Sequence, residues 1–298
     1  MNHKWFPLFC AGFFVFMLAW EVCAKGPMVS AMGNKHNLSA QNTAAGITYR
    51  AVDDAVNNPG GQQICIFCHT PHNSNPQGPL WNRRDTSQVF ARYTSNTLQI
   101  KNLAASQYSV TGDSLGQPNG SSRLCLSCHD GVTGLGDVLR SGQMGQIQML
   151  SGNNNITGVA SFHPSTNKMK VGHHPVSFVY ATSFDYKTQL GTMIGLNPGV
   201  FKLPAQAPNP EMAAKVKLQD SKRDSRGWMQ CTTCHDPHQN MGNDETTYPP
   251  AFTRKITPFW VYSGATAVAG HDGVCTSCHL NLLAPYNVGG SNPPWPYP

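Results

Sequence analysis

Four short segments of the chain carry two cysteines and a histidine at one fixed spacing, Cys-x-x-Cys-His. They run from Cys65 to His69, Cys125 to His129, Cys231 to His235 and Cys275 to His279. Two thiols at this spacing can form thioether bonds to the vinyl groups of a haem, and the histidine that follows can ligate the iron from the near side. With 10 cysteines and 12 histidines in 298 residues, chance would produce only about 0.01 such motifs. We therefore predict four covalently attached c-type haems.

The predicted attachment residues are Cys65, Cys68, Cys125, Cys128, Cys231, Cys234, Cys275 and Cys278, and the proximal iron ligands are His69, His129, His235 and His279. Two other uses of Cys-x-x-Cys were weighed. A thioredoxin-like dithiol needs one copy in a βαβ setting, and a zinc site pairs two copies. Neither use explains a histidine directly after all four copies.

The first 24 residues have the pattern of a secretory signal peptide. Lys4 precedes an apolar run from Trp5 to Trp20, and Ala24 offers a small residue at a cleavage point. Pro7 and Gly12 interrupt the run, which is shorter than the roughly 20 residues that a membrane span requires. A cleaved signal is therefore favoured over a retained anchor.

Cleavage after Ala24 would remove Cys10 and Cys23 and leave eight cysteines, all of which the four motifs use. We therefore expect a mature chain, residues 25–298, with no disulfide even in an oxidising compartment. We expect it to be secreted to the cell surface or the extracellular medium, with the periplasm as the alternative. No membrane span is predicted in the mature chain.

Composition predicts an irregular fold. Only 40% of the residues are hydrophobic, 28 are glycine and 22 are proline, and little of the chain shows sustained helical or alternating periodicity. We predict a single domain of loops and short α-helices, with little β structure, wrapped around four haems that supply the missing apolar core.

Residues 141–170, rich in Gly, Asn and Gln, are predicted to form a long surface excursion. A short strand-like run after Pro175 would hold the two histidines before it.

The basic charge does not indicate a nucleic-acid partner. The formal net charge is +6, but the propionates and ferric core of each oxidised haem together add about −1, which brings the holoprotein to about +2.

The motifs alternate along the chain. Cys65 to His72 and Cys231 to His238 both carry a second histidine three positions after the motif histidine, whereas the motif that follows each of them does not. This order indicates a duplicated two-haem unit, with haem pairs in approximately residues 25–203 and 211–298.

Seven further histidines of the mature chain are candidates for the second axial ligand of each iron. We assign His36, His72, His238 and one of His173 or His174, with His163 and His271 in reserve. This surplus favours bis-histidine ligation of all four haems, although ligation by Met144, Met149, Met169 or Met229 is an alternative. In one helical turn the rings of His72 and His238 project beside the motif histidine, so each must serve a neighbouring haem.

Residues 79–84 could contact a haem. Trp81 could pack on a porphyrin face, and Arg83 or Arg84 could pair with a propionate. A core tryptophan beside a solvated charge pair is an equally weighted alternative.

Six segments together carry a family resemblance: residues 35–39, 65–74, 79–83, 125–131, 174–178 and 231–238. Their order resembles that of secreted cytochromes with doubled haem motifs from metal-reducing bacteria, and in particular the tetrahaem cytochromes that polymerise into extracellular nanowires. The resemblance implies that all haems are bis-histidine and that one haem takes a ligand from the adjacent subunit of a head-to-tail homopolymer. It implies that His72 is the donated ligand, and it favours His174, directly before Pro175, over His173.

The leading hypothesis is therefore electron transfer, not enzymatic catalysis, through four closely packed haems in a subunit of an extracellular conductive filament. The partners would be redox cytochromes or extracellular acceptors. The alternatives are a discrete periplasmic or surface electron shuttle and, less favoured, a multihaem reductase of nitrogen or sulfur oxyanions, which needs an open iron position.

Because bis-histidine ligation leaves no iron position open, carbon monoxide and cyanide should not change the visible spectrum of any haem in the native protein. A spectral shift in one haem would contradict the ligation hypothesis and favour the reductase.

Overall fold

The computed structural model describes residues 28–76, 78–91, 93, 117–140, 146–150, 152, 154–171, 173–180, 203–204, 215–221, 224–239, 246–247, 253–254, 259–262 and 273–279. The predicted signal peptide, His271, Met144 and the Pro-rich C-terminal tail lie outside these residues.

Helices in the described chain are short. The α-helices are α1 (Gly120–His129), α2 (Lys168–Val171) and α3 (Cys231–Cys234), and the 3-10 helices are Pro59–Gln62, Cys65–Phe67, Gly158–Ala160 and Pro164–Thr166. Residues 273–276 are also helical. Three of the four Cys-x-x-Cys-His motifs therefore begin within or at the start of a helix of four residues or fewer, and only the second lies in a longer one.

The β structure consists of five short strands, β1 (Phe178–Val179), β2 (Gln219–Ser221), β3 (Asp224–Met229), β4 (Thr246–Thr247) and β5 (Thr253–Arg254), among the residues that the structure describes. The first three form an antiparallel sheet in the order β1-β3-β2. Phe178 pairs with Met229 in this sheet, and Val179 pairs with Trp228. Strands β4 and β5 pair separately. The sheet joins the segment after Pro175 to the segment before Cys231, so it fixes His173 and His174 relative to the third motif.

The expected fold class is confirmed at the level of secondary structure, since the described chain is mostly irregular with short helices and little strand. Within the same residues, no helix is long and apolar enough to cross a membrane.

The larger apolar cluster surrounds the first and second motifs. Its buried members are Leu38, Ala40, Ala51, Ile66, Phe67, Leu135, Ile147, Met149 and Ile156, and Cys68 and Cys128 pack against it. Three of these residues, Ile147, Met149 and Ile156, come from the stretch predicted to be a surface excursion. That prediction is wrong for them, because apolar residues scattered among Gly, Asn and Gln still bury their side chains when the chain folds back.

Arg83 is fully buried and bonded to main-chain carbonyl groups. Its guanidinium donates to the carbonyls of Ser127, Gly134 and Leu135 at 2.7 to 3.2 Å, while Arg84 is exposed. Arg83 is thus neither half of a solvated charge pair nor oriented towards a propionate. It joins α1 to the loop after it, a role that sequence analysis did not predict.

Replacing Arg83 with Ala should lower the free energy of unfolding by about 3 kcal/mol, because several buried carbonyls lose their donor. Arg84→Ala, at the exposed neighbouring position, should change it by less than about 0.5 kcal/mol. Chemical denaturation followed by circular dichroism measures both variants, and equal midpoints would contradict this assignment.

Candidate haem-binding sites

Each Cys-x-x-Cys-His motif closes one helical turn. The backbone N–H of His69 donates to the carbonyl of Cys65 at 2.8 Å, and His235 and His279 make the same bond to the first cysteine of their motifs at 3.0 Å. The second motif occupies the last two turns of α1. Residues three and four positions apart lie on one side of a helical turn. Both thiols and the imidazole of each motif therefore face the same side, as haem attachment requires.

All eight motif cysteines are free thiols; Cys278 is buried, Cys65 is exposed and the other six are half-buried. Burial raises the pKa of Cys68 to about 12, and burial also raises the pKa of Cys128 and Cys234. A hydrogen bond between Cys125 and Cys231 raises the pKa of Cys125 and lowers that of Cys231.

The motifs follow one another in space in the order in which they follow one another in sequence. Cys68 and Cys128 lie close enough for their charges to interact, Cys125 and Cys231 are hydrogen bonded, and Cys234 interacts electrostatically with both cysteines of the fourth motif. The four candidate sites therefore form a connected series from the first motif to the fourth.

Three motif histidines each face a second histidine across a similar gap. The ring centres are 6.2 Å apart for His36 and His129, 6.0 Å for His69 and His238, and 6.4 Å for His174 and His279. Imidazole nitrogens bind metals at about 2 Å and lie about 1.1 Å from the ring centre, so two imidazoles on opposite faces of one iron have centres about 6.2 Å apart. The three measured separations match this value.

The outer nitrogen of several of these rings is bound to a main-chain carbonyl. Nδ1–H donates from His36 to Pro237 at 3.0 Å, from His129 to Ala160 at 2.8 Å and from His174 to Pro175 at 2.9 Å. The ring of His69 donates to the carbonyl of Pro79. Metal-ligating histidines commonly make such a bond, which fixes the tautomer and leaves the lone pair of the other nitrogen for the metal.

His238 has a carboxylate partner instead. Its Nδ1 lies 3.4 Å from Oδ1 of Asp236, and its backbone N–H donates to the same oxygen at 2.9 Å. This carboxylate orients the ring towards His69, with which it is nearly parallel, at an interplanar angle of 12°.

Aromatic side chains hold the imidazoles in place. Phe259 packs on His36 with ring centres 4.1 Å apart, and Trp260 stacks on His235 at 4.6 Å. Trp81 meets His69 edge-on at 5.8 Å. Phe259 and Trp260 are neighbours in the chain, so one short segment supports histidines of two sites. In the sequence these residues stand out only as part of an aromatic cluster with Tyr262.

His174 is exposed, yet burial lowers its pKa. His36 and His279 are half-buried, and burial lowers the pKa of each to about 4. The lowered pKa keeps these three rings neutral near pH 7, which leaves a nitrogen lone pair on each ring available to a metal.

The remaining predicted ligands have different surroundings. His72 is exposed, and its ring contacts no other side chain in the described residues, whereas His173 is half-buried against Phe162. Nδ1 of His163 accepts from the backbone N–H of Ser165 at 3.2 Å, which caps a 3-10 helix. His163 therefore carries its proton on Nε2 and has no lone pair there for a metal.

Two of the alternative methionine ligands are packed in apolar clusters. Met149 belongs to the cluster around the first two motifs, and Met229 packs with Phe178 and Tyr180. These contacts favour histidine over methionine as the second ligand.

Gln230 positions the second and third motifs relative to each other. Its side chain accepts hydrogen bonds from Ser122 and Ser177 and donates to Asn119 at 2.8 Å. A Cβ at Gly120, whose φ is +52°, would come within 2.9 Å of the same amide. A buried glutamine has no distinguishing pattern in a sequence, so this link could not have been found from the chain alone.

The residues fit a haem. The described chain has no group of three or more His, Cys, Asp or Glu side chains that could hold a metal ion alone, whereas a haem iron needs one protein ligand on each face because the porphyrin fills the plane. Nε1 of Trp81 is buried without a hydrogen-bond partner. A haem propionate at the adjacent site would supply an acceptor.

A scan against protein-family models and a search of curated proteins find no match for this chain.

Replacing His36 with Met should raise the reduction potential of one haem by on the order of 100 mV, because thioether ligation favours ferrous iron. The other potentials should stay close to their original values. Potentiometric titration of the four haems measures the shift, with His163→Met as the control that leaves all four unchanged. Four unchanged potentials in the His36 variant would remove His36 from the ligand set.

Proposed function

We propose that this protein is a tetrahaem c-type cytochrome that transfers electrons along a series of bis-histidine haems. The observation that carries the proposal is the separation of 6.0 to 6.4 Å within three histidine pairs, each of which contains one motif histidine. The same separation recurs in three pairs, and it matches the separation expected for two imidazoles on opposite faces of one iron.

When bound, each haem supplies a one-electron ferric/ferrous couple. The protein's own residues hold and orient the imidazoles. Carbonyl groups of Pro79, Ala160, Pro175 and Pro237 fix the tautomer of four rings. Because the second ligands are already bonded and packed, substrate has no open iron position in the three paired sites, which favours electron transfer over oxyanion reduction.

The spatial order of the motifs supports transfer from one end of the chain to the other. Cys68 and Cys128 pack against one apolar cluster, Cys125 is hydrogen bonded to Cys231, and Met229, two residues before the third motif, packs in one cluster with Cys278 of the fourth. Four haems bound in this order would form a row in which each haem lies next to the following one. An electron could then pass from the first haem to the fourth in three steps.

We further propose that the protein is secreted and acts in extracellular electron transfer, as the filament-forming cytochromes that it resembles do. The signal-like N-terminus and the family resemblance support this setting. A discrete shuttle is the second candidate, because the three pairs draw both histidines from one chain.

The haem content can be tested on protein expressed in a host that attaches c-type haem outside the cytoplasm. Pyridine haemochrome analysis and intact mass should give four haems per chain, and the visible spectrum should be entirely low-spin. A Cys275→Ser, Cys278→Ser variant should carry three haems. Protein without covalent haem would overturn the proposal.

Electron microscopy of the purified secreted protein distinguishes the extracellular filament from the discrete shuttle. Ordered filaments would support the extracellular conductor, whereas a monodisperse single subunit that still exchanges electrons with a redox dye would support the shuttle.

A further inference from the structure

The short loop that carries His36 is organised by one side chain that lies further along the chain, that of Asn42. Asn42 is fully buried. Its Oδ1 accepts from the backbone N–H of Gly33 at 2.8 Å, and its Nδ2 donates to the carbonyls of Asn34 at 2.9 Å and Asn37 at 2.8 Å. The side chain therefore binds main-chain groups on both sides of His36.

The backbone of His36 belongs to the same set of hydrogen bonds. Its N–H donates to Oδ1 of Asn34 at 2.8 Å, and the N–H of Asn37 donates to the carbonyl of Asn34 at 3.0 Å. Leu38 is buried in the apolar cluster around the first two motifs. The position of the His36 backbone is thus set by residues that are close to it in the sequence.

The ring of His36 is held by a different part of the chain. Its Nδ1–H donates to the carbonyl of Pro237 at 3.0 Å, and Phe259 packs on it with ring centres 4.1 Å apart. These contacts orient the ring, which faces His129 at a centre separation of 6.2 Å. Because metal–ligand distances tolerate deviations of only about 0.2 Å, ligation requires the backbone of His36 to be held in place as well.

We propose that Asn42 is a positioning residue for the second haem, and that it holds the backbone of His36 where the imidazole ligates the iron opposite His129. This inference rests on the proposed tetrahaem function, and it extends that function by assigning a residue that acts through a ligand. Shortening the side chain of Asn42 would leave three buried main-chain groups without their partner, and the loop would rearrange to satisfy them.

Asn58 provides a matched control. It is also buried, its Nδ2 donates to the carbonyls of Val52 at 2.9 Å and Gln148 at 3.0 Å, and its Oδ1 accepts from the backbone N–H of Gln148 at 2.9 Å. It therefore makes the same kinds of main-chain bond as Asn42, but it joins two segments that carry no predicted histidine ligand.

The test measures carbon monoxide binding, spin state and haem content of the holoprotein. Wild-type protein and Asn58→Ala should carry four low-spin haems that bind no carbon monoxide. Asn42→Ala should also carry four haems, but it should bind one carbon monoxide per chain and convert one haem to high-spin, and added imidazole should restore the low-spin spectrum. His36→Ala and the double variant His36→Ala, Asn42→Ala should each bind one carbon monoxide per chain, because both changes act on the same iron.

The inference would be overturned if Asn42→Ala bound no carbon monoxide, if Asn58→Ala opened a haem to the same extent, or if the double variant bound two carbon monoxide molecules per chain. If Asn42→Ala does not fold, the milder change Asn42→Ser should open one haem to carbon monoxide while Asn58→Ser opens none. Equal behaviour of the two serine variants would count against the inference. Absence of covalent haem, or an open iron, in wild-type protein would refute the proposed function instead.

Discussion

The structure depends on one constraint, which is that three pairs of imidazole rings are held with their centres 6.0 to 6.4 Å apart. Hydrogen bonds to main-chain carbonyls and to Asp236, together with the aromatic contacts, hold the rings in these positions. The separation equals the one expected for two imidazoles on opposite faces of one metal ion.

These pairs also connect the two halves of the chain. His238 from the second half faces His69 from the first, while His174 from the first half faces His279 from the second. The duplicated two-haem unit seen in the motif order is therefore not two separate domains. Each half contributes one histidine to two of the three ring pairs, so the two halves fold against each other as one unit.

Buried polar side chains position the helices and loops that carry the motifs, a role that apolar packing has in most globular proteins. Arg83, fully buried, bonds to carbonyls around the end of α1, and Gln230 links α1 to the third motif and the β-sheet. Such groups tolerate little displacement because each buried donor and acceptor needs its partner. They therefore fix the positions of successive motifs relative to one another.

The sequence by itself predicted the attachment chemistry, because Cys-x-x-Cys-His is a local pattern whose residues one helical turn places on the same side. It also indicated the irregular fold and a surplus of histidines. From the residues alone it left open whether His173 or His174 is a ligand, and it could not say which histidine faces which motif, whereas the fold places His174 with its ring centre 6.4 Å from that of His279 and His238 with its ring centre 6.0 Å from that of His69. Nor could it place Ile147 and Ile156 in the core. Those outcomes belong to tertiary structure, because a second ligand, like a core contact, is defined by what a distant segment brings to the other side of the site.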